Sequence, residues 1–173
     1  MKEDRQPRPP SVNQQFALNL IERWLTVPRS IRWCVPALGM GVLWWSSSQV
    51  PSTKLPSTFG VLLHNAMHVV AYACVAAASW LAWSRRPAGA PQPMRSVGAW
   101  LLSSVYGVID ELHQAYVPGR HCSFFDVVSD VAGAALAVVL LSGLVGASSR
   151  WRRDALIVAC VAAVGTLSAT FAG

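Results

Sequence analysis

The sequence predicts an all-α membrane protein, a polytopic helical bundle of about five transmembrane helices preceded by an amphipathic interfacial helix. Of its 173 residues, 53% are hydrophobic and only 13% charged, too apolar for an ordinary soluble domain of this length. Five apolar windows, at about 32–48, 61–83, 96–114, 126–146 and 155–172, each approach the ~20 residues that cross a hydrocarbon core. The basic residues fall in short segments flanking these windows, so the net charge of +6 reads as membrane orientation and excludes a nucleic-acid surface.

Two parts are expected: a cytoplasmic arm with the amphipathic helix over residues 1–30, and a transmembrane domain over 31–173. Residues 1–10 are rich in Pro and charge and are expected to stay disordered. Beyond them Val12, Phe16, Leu20, Ile21, Trp24 and Leu25 recur at helical spacing, with Ser11 and Gln14 placed as a capping box. This helix lies on the cytoplasmic membrane surface or packs on the inner end of the bundle. The arm is too long and polar for a standard signal peptide.

The first span ends in Trp44-Trp45 and a polar run from Ser46 to Gln49, as at an interfacial aromatic belt. A loop with Pro51 and Pro56 follows, and the second span carries His64 and His68 one turn apart, with Tyr72 a turn further on. The connector SRRPAGAPQPMR has no periodicity. In the third span Ser103, Gly107, Asp110 and Gln114 form one stripe, with Glu111 beside it. Pro118-Gly119 sets a tight turn, and the fourth span repeats the pattern with Asp126, Asp130, Gly133 and Ala137, so the two form an antiparallel hairpin with small residues that allow close approach.

Orientation follows from the basic residues. Lys2, Arg5, Arg8, Arg23, Arg29, Arg32, Arg85, Arg86, Arg95, Arg150, Arg152 and Arg153 lie on one side of the spans, Lys54 and Arg120 on the other. The positive-inside rule then gives a multi-pass protein of the cytoplasmic (inner) membrane, with its N-terminus cytoplasmic and its C-terminus outside. Cys34, Cys74, Cys122 and Cys160 form no CxxC pair, so neither a disulfide framework nor a zinc cluster is indicated; they read as small apolar fillers.

In this topology His64 and His68, then Asp110, Glu111, His113 and Gln114, then Asp126 and Asp130 meet at the outer end, a shallow polar pocket. Ionisable groups at a membrane edge are costly and mark function by default. Asp110 and Glu111 lie near a helix C-terminus, where the dipole disfavours an anion by ~0.3–1 kcal/mol, and a broken local rule points to a task. Asp126, three residues after Ser123, has helix capping as an equal explanation. His68 sits near a helix N-terminus that favours its neutral form. Arg120 is either an interfacial anchor or a planar clamp for a carboxylate or phosphate. His121 reads as a loop residue.

The stretch Asp110, Glu111, Gln114, Pro118, Gly119, Arg120, Ser123, Asp126 and Gly133 resembles the core pattern of the VanZ-like family, small bacterial membrane proteins associated with reduced susceptibility to teicoplanin-type glycopeptides. His68 and Tyr72 match a second element of that family, and the resemblance covers about residues 38–146. Two positions depart: Asp130 stands where the family usually has Asn, and His64-Asn65 where Asp-Lys often precedes the family His. The resemblance implies a cell-envelope setting and a link to antibiotic resistance.

The first expectation is therefore an outer pocket that binds an envelope lipid or lipid-linked glycan, or a glycopeptide-related ligand, with modification of it left open. Asp110 or Glu111 then acts as acid or base and His68 relays a proton. Gln114, Arg120, Ser123, Asp126, Asp130 and Tyr72 bind. No nucleophile stands out, since Ser123 has the cap as its task. The alternatives are a non-enzymatic interaction or assembly protein held by a buried polar network, and a divalent-metal-dependent enzyme using His64, His68, Glu111, Asp126 or Asp130. No residue is assigned as a metal ligand, and the cofactor is unknown. Transport is disfavoured because the polar groups gather at one end.

Overall fold

The computed structural model describes residues 10–50, 58–87, 92–120, 122–146 and 150–171. The expectations for the N-terminal arm before Pro10, the Pro51–Pro56 loop, residue Ala90 and His121 lie outside them. Six helices and no strand form among the described residues: α1 Val12–Trp24, α2 Arg29–Ser47, α3 Thr58–Trp83, α4 Pro93–Gln114, α5 Phe124–Leu144 and α6 Trp151–Phe171. The five apolar windows are α2 to α6, each starting two to four residues early because windows of apolar side chains omit the polar first turn. The Ser11–Gln14 capping box forms in both directions, satisfying two amides of the first turn of α1.

By length and hydropathy α3, α5 and α6 can each cross a membrane. Helix α4 has a different pattern, with Val97, Leu101, Val105, Val108, Ile109 and Leu112 exposed while Ser103, Ser104, Gly107, Asp110, Glu111 and Gln114 are buried. An apolar exterior around a polar interior costs free energy in water and suits a lipid surround. It also explains why the mean hydropathy of α4 stays below that of its neighbours: the polar half is spent on the interior.

Helix α3 is central, packing against α2, α4, α5 and α6, while α5 also packs against α4 and α6. Consecutive helices alternate in direction, so the ends of α2, α4 and α6 share one end of the bundle with the starts of α3 and α5; we call this the turn end. At the opposite end Ile21 of α1 is buried with Ala76, Trp80, Ala99, Ala134, Ala137, Val138 and Val145, with Leu18 and Leu25 alongside. Val12, Phe16 and Leu20 remain exposed. The apolar face of α1 is therefore divided: its C-terminal half packs on the bundle and its N-terminal half stays free.

Arginines tie this same end together. Buried Arg32 donates to the carbonyls of Leu81 and Ser84, where α3 leaves C-terminal acceptors unpaired. Arg95 donates to Ser84 Oγ and lies 3.7 Å over the Trp80 ring. Arg32 thus caps the C-terminus of α3, while Arg95 ties the same end through a side chain and a ring. The cysteines are free, as expected, but all four are exposed. They occupy outward positions, since the core is filled by alanine and by the larger Trp80 and Tyr72.

Candidate functional site

The site sits at the turn end, where the α4–α5 connection is a type II turn. Val117 accepts from the Arg120 amide at 3.1 Å, Pro118 occupies the second position, and Gly119 has φ +79°, the sign that this turn requires. Three residues on, Ser123 caps α5, its Oγ accepting from the Asp126 amide at 3.3 Å. The Ser123 amide donates to Glu111 Oε2 at 3.0 Å, so the last turn of α4 and the first of α5 are held together by a carboxylate.

Beneath the turn, Asp110, Glu111 and Asp130 are 1%, 1% and 0% exposed. Gln114 Nε2 donates to Asp110 Oδ2 at 3.2 Å and to Glu111 Oε1 at 3.3 Å, and Ser47 Oγ donates to Asp110 Oδ2 at 2.8 Å. His68 Nδ1 and Asp130 Oδ1 share a hydrogen bond of 3.1 Å. Tyr72 is fully buried beside Asp130 and Asp110, its hydroxyl without a hydrogen bond of normal geometry. Asp130 Oδ2 and Asp126 Oδ1 are likewise buried and without a hydrogen-bond partner among the described residues. A Cβ on Gly107 would lie 3.0 Å from Asp130 Cβ, so glycine at this position is what admits the α5 carboxylate against α4.

The sequence-predicted residues therefore converge from α3, α4 and α5, with two differences. Arg120 pairs with none of the carboxylates among the described residues. Its Nε, Nη1 and Nη2 donate to Gln49 O at 3.1 Å, Gln114 Oε1 at 3.3 Å and Ser46 O at 3.1 Å. It thus caps the C-terminal carbonyls of α2, a position that the helix dipole favours for a cation. Of its five N–H groups two have no partner among the described residues. The second difference is α2, which supplies Ser46, Ser47 and Ser48. Ser48 Oγ lies 3.0 Å from His113 Nε2, and the His113 ring stacks on Trp44 at 3.9 Å. A run of three serines directly after Trp44-Trp45 was the available signal, since hydroxyls spread over more than half of the helix circumference favour one turning toward a neighbour.

These contacts set the expected result for Arg120→Lys. An ammonium cannot reach three diverging oxygens, so the variant loses about 1.5 kcal/mol, the low end for one charged hydrogen bond because the group is partly exposed. Thermal unfolding in detergent checks this, and a lysine variant as stable as wild type would reduce Arg120 to a simple interfacial charge.

A cleft of about 170 Å³ opens between α2 and α3, lined by Leu43, Ser46, Ser47, His64, Met67, His68, Ala71, Asp110 and Arg120. A second, apolar groove of about 410 Å³ runs along the same helix pair past Val35, Leu38, Gly39, Val42, Cys74, Val75 and Ala78. Leu43 and Ala71 line both, so the polar cleft and the apolar groove lie side by side. His64 and His68 meet edge to face at 5.1 Å at the cleft wall.

No curated protein and no solved structure matches the chain. The family model described as VanZ/LLP1 matches residues 10–146, from α1 through α5, leaving α6 outside. With the Asp110–Arg120–Asp126 hairpin and the His68–Tyr72 element inside the matched region, the chain belongs to the VanZ-like family.

Proposed function

We propose that this membrane protein crosses the cytoplasmic membrane five times, and that its α2–α3 cleft receives an amphipathic envelope lipid or lipid-linked glycan at the outer end. The observation that carries the reading is the adjacency of a polar cleft and an apolar groove, which share Leu43 and Ala71 as a common wall. A lipid has the same division: an anionic head meeting the Arg120 guanidinium and the His64 ring, and a chain lying along Val35, Leu38 and Val75. The groove faces the surround of the bundle, so a lipid enters sideways without crossing water. The family's association with reduced glycopeptide susceptibility fits a ligand drawn from the cell envelope.

Asp110 lines the cleft and accepts from Ser47 and Gln114 through the same oxygen. Asp110→Asn keeps the shape and removes the charge that aligns both donors. Mass spectrometry of lipids retained after mild detergent purification is expected to show a bound lipid in wild type and several-fold less in Asp110→Asn at equal yield of folded protein. Equal retention in both would detach this residue from the ligand.

Orientation has its own test. Cys122, exposed in the turn, is expected to react with an impermeant thiol reagent from outside, whereas a cysteine introduced as Ala90→Cys is not. Partial burial, together with Glu111 and Asp126, raises the Cys122 thiol. Since the thiolate is the nucleophile, labelling should climb as the pH passes above the ordinary thiol value of about 8.5. Labelling of Ala90→Cys from outside would invert the topology.

A further inference from the structure

We propose that His68, Glu111 and Asp130 bind one divalent cation of the Mn²⁺ or Zn²⁺ class at the floor of the site. One ligand atom from each of the three lies within 4.8 Å of the others. Two ligands on one ion at ~2.1 Å are separated by at most about 4.2 Å, so a small rotation of side chains closes the set. One imidazole nitrogen with two carboxylates is a donor set for borderline first-row divalent ions, and it leaves open positions.

Charge balance points the same way. Asp130 is 0% exposed and keeps a buried Oδ2 without a partner, while no arginine or lysine pairs with Asp110, Glu111, Asp126 or Asp130 among the described residues. Hydrogen bonds from Ser123 N and Gln114 Nε2 orient Glu111 and leave lone pairs on both its oxygens, as outer contacts do for a ligating carboxylate. His68 reaches the set from α3, Glu111 from α4 and Asp130 from α5, so one ion joins the three helices that build the site.

Binding of the ion stands on this geometry alone; its use as a second anchor for an anionic head group rests on the lipid reading above. The test uses full-length protein in detergent, stripped of metal and dialysed against Mn²⁺ alone or Zn²⁺ alone. One bound equivalent is expected in wild type, weakened about ten-fold or more in Glu111→Gln and Asp130→Asn and unchanged in Cys160→Ser, which is remote from the site. Pulsed electron paramagnetic resonance of the Mn²⁺ form should show nitrogen coupling that survives Cys160→Ser and vanishes in His68→Asn. No bound equivalent in wild type, or equal binding in the carboxylate variants, overturns the site. Should those variants fail to fold, wild-type nitrogen coupling decides: its presence supports the site and its absence overturns it. Lipid is measured on the same samples, so metal without lipid sinks only the lipid reading, and lipid without metal only this one.

Discussion

Gly133→Ala is expected to cost about 3 kcal/mol or more and to leave little folded protein in the membrane. A Cβ at this position of α5 would fall 2.3 Å from the Val69 carbonyl oxygen and 3.0 Å from Val69 Cα, so the obstacle is the backbone of α3. Overpacking typically costs ~1–3 kcal/mol when side chains can move aside; here two helices must separate. The separation would pull Asp130 away from His68, since Asp130 lies about one turn from Gly133 and His68 is next to Val69. Gly41→Ala is the control, because nothing lies within 4 Å of that position and alanine favours the helix by up to about 1 kcal/mol. Thermal stability by fluorescence-detected size exclusion separates the two variants. Equal stability would mean that α3 and α5 do not approach so closely.

Leu43→Trp is expected to remove bound lipid almost completely while leaving the fold intact. Leu43 is half-buried at the junction of the cleft and the groove. An indole there fills part of the ~410 Å³ groove and blocks the path from head to chain without entering the core. A half-open position tolerates the added volume, unlike Gly133, so stability should change by less than about 1 kcal/mol. The effect on retention should exceed that of Asp110→Asn, because occlusion removes space whereas the amide only weakens contacts. Undiminished retention in Leu43→Trp would show that the lipid lies elsewhere.

The two predictions separate what the sequence carries from what only packing supplies. Apolar windows of about 20 residues located α2 to α6 because a helix in a lipid surround is apolar along most of its length, and the 110–126 hairpin was legible because turn and cap residues act locally through Pro118, Gly119 and Ser123. Convergence of His68, Glu111 and Asp130 followed from alternating helix directions. The contribution of α2 was hidden, since Ser47 and the carbonyls of Ser46 and Gln49 matter through where the end of that helix lands. For the same reason Arg120 looked like a partner for carboxylates: its charge is visible in sequence, while the C-terminal acceptors of α2 are not. The groove was equally unreadable, as Leu43 and Ala71 are unremarkable residues until α2 and α3 are set side by side.

Photo-crosslinking with a phospholipid carrying a diazirine in its acyl chain tests the central claim most directly. In native membranes the account predicts adducts concentrated on Leu38, Val42, Ala71 and Val75 along the α2–α3 groove, and their loss in Leu43→Trp. Adducts spread evenly over the exposed apolar residues of α4 and α6, with no excess between α2 and α3, would contradict it.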